Sequence, residues 1–162
     1  MSNSRPGPIV LPLQYYTLVD WLEEMHIRAT DGNVTALGQL IGMSLRSFLN
    51  KILNYCGTAK TVSNVQVFTA LKSVFGGRVP LRAIQQSRFR CNLPSSTFFT
   101  CVKLMADSLE PRMAKSLRWS KDAKVYIQRA LEWHVRECLE HAKAKAKTYW
   151  QSTEEVCRYL KA

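Results

Sequence analysis

The chain has 162 residues, of which 46% are apolar, so it is long and apolar enough for a folded core in one domain or two very small ones, and a disordered tail is excluded. Lysine and arginine outnumber aspartate and glutamate by 23 to 12, which indicates a polyanionic partner and favours nucleic acid over an anionic membrane. The excess is uneven, because residues 81 to 162 carry sixteen basic and eight acidic side chains.

Three helices are predicted in the first half. The first is short, ends near His26, and has an apolar face at helical spacing that consists of Tyr15, Leu18, Val19, Leu22 and Met25. After the breakers of IRATDGN, a longer helix extends to about Cys56 along the apolar face of Leu37, Ile41, Leu45, Phe48, Ile52 and Tyr55. The loop GTAKTVS follows, and Ser63 with Gln66 has the form of a capping box before a third, short helix that ends at residues 70–72.

The second half repeats this order of short, long and short helices. Pro94-Ser95-Ser96 begins a helix that extends to about Leu109, where Glu110-Pro111 ends it. A basic loop, RMAKSLRW, leads to Ser120 as N-cap, with Asp122 in the first turn of a long helix whose apolar stripe is Ile127, Leu131, Val135, Cys138 and Ala142. Ser152 and Glu155 form a second capping-box pattern, before a last helix that ends in Leu160-Lys161.

The repeat therefore predicts an all-α fold made of two units of about 60 to 65 residues, with no alternation that indicates a strand. GGRVPLRAIQQSRFRCNLP joins the units. A three-helix unit of this size buries too little surface to be stable alone, so the two units are expected to pack against each other within the chain.

The cysteines and the termini bear on the compartment. The five cysteines are odd in number and form no Cys-x-x-Cys pair, which argues against a disulfide framework and a zinc ribbon; they are Cys56, Cys91, Cys101, Cys138 and Cys157. The sequence has no signal-peptide pattern and no apolar run near the roughly 18 residues of a membrane span. We therefore expect an intracellular protein with no membrane association.

Two stretches resemble the core histones. AKVYIQRALEWHVRECLEHAKAKAK, residues 123–147, is similar to the central helix of histone 2A in its Ala-x-Val-Tyr opening, its Leu-Glu-aromatic step and its later Glu-x-Leu-Glu-x-Ala. YYTLVDWLEEMH, the Asp-Gly loop after it, and KTVSNVQVFTALKSVFGGRVPLRAI resemble histone 2B from its first helix to its C-terminal helix. The chain thus resembles the fused histone 2B and histone 2A doublets of marseillevirus-type giant viruses, in a short form.

The resemblance implies two histone folds in tandem, packed as an intramolecular head-to-tail pair. The implied organisation is a tail over residues 1–14, a histone 2B-like fold over 15–75, a linker with a short C-terminal-type helix over 76–95, and a histone 2A-like fold over 96–162. It also implies that loops of the two units pair to form phosphate sites, with contributions from Arg28, Lys60, Thr61, Arg112, Lys115, Arg118, Lys121, Lys143, Lys145, Lys147 and Thr148. The alternative for these cations is a merely solvated surface.

The resemblance further implies an acidic patch on the long helix of the second half, which would bind basic peptides. Its members would be Glu132, Glu137 and Glu140, and their predicted positions lie away from the apolar stripe. The alternative is a solvated helix face with pairs at i,i+4 or i,i+3 spacing, such as Glu132 with Arg136 and Glu140 with Lys143.

Metal binding and catalysis have weaker support. His134, Cys138 and His141 share one side of a helix and have atoms that zinc accepts, but they lie on or beside the apolar stripe, which favours core packing. The sequence has no glycine-rich phosphate loop, no nucleophile elbow and no nucleophile oriented by a third group. We predict no enzyme activity, no metal site and no cofactor.

The resemblance thus implies a viral histone doublet. It would bind the backbone of double-stranded DNA with little sequence preference and form nucleosome-like particles with a histone 3 and 4 type doublet or pair, packaging the viral genome in the virion and in the host nucleus or a cytoplasmic viral factory. Two alternatives remain open: a histone-fold subunit for transcription or replication that binds defined DNA sites, and a helical interaction protein that does not bind DNA.

Overall fold

The computed structural model describes residues 10–86, 88–148, 156, 157 and 159. These residues are mostly helical, which confirms the all-α prediction. The elements are α1 (Tyr15–Glu24), α2 (Asp31–Cys56), β1 (Thr61–Val62), α3 (Asn64–Phe75), a 3₁₀ turn (Gly76–Arg78), α4 (Leu81–Gln85), α5 (Ser95–Leu109), α6 (Pro111–Ala114), β2 (Arg118–Trp119) and α7 (Lys121–Thr148).

The first half has the predicted short, long and short helices, with two shifted boundaries. α2 begins at Asp31, inside the predicted breaker segment, because the Thr30 hydroxyl caps it by accepting a hydrogen bond from the Asn33 backbone N–H at 3.2 Å. Gln66 caps α3 as predicted, since its Oε1 accepts from the Ser63 backbone N–H at 2.9 Å. α3 continues to Phe75, one turn beyond the prediction, because the Phe75 side chain is buried in the core.

The second half also begins with a short and a long helix. The Ser120 hydroxyl accepts from the Ala123 backbone N–H at 3.1 Å, which confirms Ser120 as the N-cap of α7. The connection before it contains a helix that the sequence pattern does not predict, since Pro111 is the first residue of α6 as well as the breaker after α5. The predicted capping box at Ser152 and Glu155, and most of the predicted last helix, lie outside the described residues.

The two halves share one hydrophobic core. The long helices α2 and α7 pack on each other, α5 packs on α2, and α3 and α4 pack on α7. Phe48 and Ile52 of α2 and Ile127 and Leu131 of α7 are completely buried in the same cluster. Each such side chain contributes about 1.5–3 kcal/mol on burial. Either half alone would therefore expose a large part of the apolar surface that stabilises the fold.

A short parallel pairing joins the halves at the surface. Thr61 of β1 is opposite Arg118 of β2, and Val62 is opposite Trp119. The Arg118 N–H donates to the Lys60 carbonyl at 2.8 Å, and the Ser120 N–H donates to the Val62 carbonyl at 3.0 Å. The sequence predicts no strand here, because a two-residue strand is too short to produce an alternating pattern. The pairing places the loop after α2 directly beside the loop before α7.

Candidate nucleic-acid interface

Paired loops form the first group of cations. We call Lys60, Thr61, Arg118 and Lys121 the first basic cluster, because the β1–β2 bridge joins Lys60 and Thr61 to Arg118, and Lys121 is the first residue of α7. All four residues are exposed. Backbone N–H groups of a helix start and cationic side chains both bind phosphate oxygens, so this surface has the chemistry of a phosphate site. Asp122, also exposed, adds one carboxylate beside these three cations.

Further cations surround the same connection between α5 and α7. Arg112 on α6 and Lys115 after it are exposed, as predicted for a basic loop. The Trp119 ring packs edge-on against Phe99, with 6.0 Å between ring centroids, and the Lys124 ammonium lies 4.2 Å from the centre of the Phe99 ring. Sequence reasoning missed Lys124, although its spacing of three residues from Lys121 on a helix was a usable signal.

A second group of cations lies near the α1–α2 loop. We call Arg28 and Lys143 the second basic cluster. The Lys143 ammonium donates a hydrogen bond to the Met25 carbonyl at 2.8 Å, so a residue of α7 contacts the loop that contains Arg28. Arg28 is exposed and Lys143 is half-buried. Lys143 was predicted to contact DNA; in the structure, its ammonium holds this loop.

The end of α7 distributes its lysines around the helix. Lys145 and Lys147 are exposed, and Thr148 is the last residue of α7. Residues four apart share a helix face and residues two apart do not, so Lys147 is on the side of Lys143 whereas Lys145 is on a different side. The three lysines therefore do not form one patch, and only Lys147 extends the second basic cluster.

Glu132 does not face solvent, and the prediction that placed it on an outward acidic face is wrong. Its side chain is completely buried. The carboxylate accepts hydrogen bonds from the backbone N–H groups of Asn92 and Leu93 in the linker, the latter at 3.2 Å, and from Gln128 Nε2 at 2.9 Å. A guanidinium nitrogen of Arg136 lies 3.8 Å away, which is the expected i,i+4 pair. Glu132 thus fastens the linker to α7.

The linker crosses one face of α7. Gln128 Nε2 donates to the Leu93 carbonyl at 2.8 Å, Arg129 donates to the Ile84 carbonyl at 2.8 Å, and Arg136 donates to the Asn92 side chain. The Asn92 amide also donates to Glu24 at the end of α1, which links three segments at one point. Sequence reasoning missed these polar contacts, although the i,i+4 spacing of Gln128, Glu132 and Arg136 was a signal of a common face.

Glu137 and Glu140 are the two remaining members of the predicted acidic patch. Both are exposed and, three residues apart, lie on one face of α7. Without Glu132, the surface available to a basic peptide on this helix is reduced to these two carboxylates.

Two of the three candidate zinc ligands, His134 and Cys138, pack in or against the core. The His134 ring stacks on Phe75, with 4.4 Å between centroids, and Cys138 Sγ lies 3.5 Å from His134 Nε2. His141 is exposed. Over the part of the chain that the structure describes, no three His, Cys, Asp or Glu side chains converge as metal ligands would.

Burial and the nearby Glu132 raise the pKa of the Cys91 thiol to about 12, so this cysteine is protonated and unreactive at neutral pH.

Known proteins give no further guide to this arrangement. No protein-family model, curated protein or solved structure matches the chain. Within residues 10–86 and 88–148, none of the helices combines the length and the apolar character that crossing a bilayer requires. A functional assignment therefore depends on the geometry of the two basic clusters.

Burial determines the protonation of Glu132. Desolvation raises the pKa of this carboxyl group above its ordinary value of 4.5, and the donors from Asn92, Gln128 and Leu93 and the charge of Arg136 only partly oppose the shift. A titrating group at the contact between the linker and α7 makes the stability of the fold depend on pH.

We expect the free energy of unfolding to decrease as the pH rises from about 4.5 through the raised pKa of Glu132. In this window the folded chain retains a proton that the unfolded chain has released, so increasing pH favours unfolding. Urea unfolding at closely spaced pH values measures the slope. The variant Glu132→Gln has no carboxyl group at this position and should lose this contribution; an equal slope in both proteins would contradict the assignment.

Proposed function

We propose that the chain is a histone-type doublet that binds the backbone of double-stranded DNA with little sequence preference. The observation that carries the proposal is the parallel β1–β2 bridge, which brings loops 57 residues apart in sequence into contact and sets Lys60, Arg118 and Lys121 beside the start of α7. Pairing of loops from two three-helix units is the feature that the resemblance to histones 2B and 2A implies.

The arrangement of the helices supports a tandem pair of histone folds. α1, α2 and α3 in the first half correspond in order and relative length to α5, α7 and the predicted last helix in the second half. The two long helices pack on each other, and each half packs shorter helices on the long helix of the other half. In a linked pair of this kind the halves meet at both ends: at one end the loop after α2 pairs with the loop before α7, and at the other Lys143 of α7 contacts the α1–α2 loop at Met25.

The positions of the cations favour backbone contact over base recognition. Lys60, Arg118 and Lys121 lie on loops or at a helix start, where phosphates are commonly bound. The sequence contains no motif that is typical of a major-groove reader. By the resemblance, a histone 3 and 4 type partner would join the chain in a nucleosome-like particle that packages a viral genome in the virion, the host nucleus or a cytoplasmic factory.

We expect the purified chain to bind a DNA duplex with an affinity that depends steeply on salt and little on sequence. If about six phosphates are neutralised, log affinity should fall with log salt at a slope near −5, about a thousandfold between 50 and 200 mM. Fluorescence anisotropy of two labelled duplexes of equal length and unrelated sequence measures both properties. Salt-independent binding, or a preference above about tenfold for one duplex, would count against backbone binding.

Particle formation is tested separately. The chain is mixed with a histone 3 and 4 type pair and long DNA, and the product is digested with micrococcal nuclease. A discrete protected fragment that requires both proteins supports the doublet proposal. A continuous smear, together with normal DNA binding by the chain alone, would restrict the function to DNA binding without particle assembly.

A further inference from the structure

The α1–α2 loop adopts a backbone conformation that requires support. His26 has a φ of 58°, in the left-handed region that residues other than glycine seldom adopt. The Ile27 N–H donates to the Leu22 carbonyl at 2.9 Å, and the Ile27 side chain is buried. Such conformations persist where surrounding contacts determine them. The contacts around this loop therefore determine the position of Arg28, the residue that follows Ile27.

One buried side chain joins this loop to the far end of the chain. Asn33 is completely buried. Its Nδ2 donates to the Arg28 carbonyl at 2.8 Å, and its Oδ1 accepts from the Cys157 backbone N–H at 2.9 Å. A carbonyl can only accept and an amide N–H can only donate, so these partners fix the orientation of the Asn33 amide.

A second contact holds the other end of the loop. The Lys143 ammonium of α7 donates to the Met25 carbonyl at 2.8 Å. The loop is thus held at Met25 by Lys143 of α7 and at Arg28 by Asn33 of α2, in both cases through main-chain carbonyls. Asn33 is in turn bonded to the backbone of Cys157 in the second half. The hydrogen bond to Asn33 fixes the main chain of Arg28, and Arg28 is exposed at the surface.

We propose that Asn33 is a positioning residue, which fixes the α1–α2 loop against residue 157 so that Arg28 is presented to a DNA phosphate at the second basic cluster. This inference rests on the proposed DNA binding. A loop that is already ordered loses less conformational entropy when it binds DNA. By holding the loop, Asn33 therefore strengthens the contact between Arg28 and a phosphate. Asn33 itself does not touch DNA.

A double-mutant cycle on DNA affinity tests the proposal. In the full chain, Arg28→Gln should lower affinity about five- to tenfold at 0.1 M salt, through the loss of one phosphate contact. Asn33→Ala, which changes no charge, should lower affinity by a similar factor. In the Asn33→Ala background, Arg28→Gln should then have less than about a twofold effect, because the two residues act through one contact.

Lys60→Gln in the first basic cluster is the matched control, and it should lower affinity by the same factor in both backgrounds. The inference is overturned if Arg28→Gln has its full effect in the Asn33→Ala background. If neither Arg28→Gln nor Lys60→Gln changes affinity in the otherwise unaltered chain, the proposed DNA site itself fails. Should Asn33→Ala not fold, the cycle is run with Asn33→Ser, whose shorter side chain cannot bond both partners at once, and the same outcomes decide.

Discussion

Replacing Lys60, Arg118 and Lys121 together by glutamine is expected to lower the affinity for a DNA duplex about a hundredfold at 0.1 M salt. Each phosphate contact contributes about 0.9 to the slope of log affinity against log salt, so the slope should change from about −5 to between about −2 and −3. The fold should be retained, because the β1–β2 bridge uses the main-chain atoms of residues 60 and 118. Anisotropy titrations over a range of salt concentrations measure both values.

The matched control removes three positive charges elsewhere. Arg46, Lys51 and Lys72 are exposed on α2 and α3 and belong to neither basic cluster. Their replacement by glutamine should lower affinity less than about threefold, through the weaker long-range field alone, since charges beyond a Debye length of about 10 Å are largely screened. Equal losses from the two triple variants would mean that net charge, and not the paired loops, governs binding.

Replacing Glu132 by alanine is expected to lower the free energy of unfolding by about 2–4 kcal/mol. The substitution removes the acceptor for the N–H groups of Asn92 and Leu93 and for the Gln128 amide, and an unsatisfied buried donor costs about 1–3 kcal/mol. The substitution also removes the desolvation cost of the buried Glu132 carboxylate, which offsets part of this loss. Arg136, which loses its ion-pair partner, is exposed enough to be solvated by water. Urea denaturation monitored by circular dichroism measures the change.

Glu137 offers the control on the same helix. It is exposed, and Glu137→Ala should change stability by less than about 0.5 kcal/mol, as surface substitutions usually do. Glu132→Gln should lie between the two, because it keeps one acceptor oxygen and most of the volume. A change for Glu132→Ala as small as that for Glu137→Ala would contradict the buried linker contact and restore the outward acidic face.

Helix caps could be predicted where both hydrogen-bonding partners lie a few positions apart in the sequence. Ser63 with Gln66 and Ser120 with Ala123 cap their helices through neighbours three residues away, so the pattern in the sequence already contains both partners. The apolar stripe of α7 is likewise local, since a period of 3.6 residues determines which side chains share a face. The type and order of the longer helices were therefore within reach, whereas the short α6 and the β1–β2 pair were not.

Glu132 could not be placed in this way. It is the neighbour of buried Leu131 and lies about 100° around the helix from it, outside a narrow apolar stripe. α7, however, is covered by α2, α3, α4, α5 and the linker, so its buried face is much wider than that stripe. Only the tertiary structure brings the N–H groups of Asn92 and Leu93, 40 and 39 residues away, to this carboxylate.

By itself, the sequence determined a mostly helical chain with two long helices, the caps of α3 and α7 and a basic second half, because these properties depend on composition and on contacts between near neighbours. The tertiary structure decided which cations share a surface. Lys60 meets Arg118 through one main-chain hydrogen bond that has no side-chain signature in the sequence, and Lys143 reaches Met25 across 118 residues. Such contacts depend on how the long helices cross, which is set by the packing of one common core.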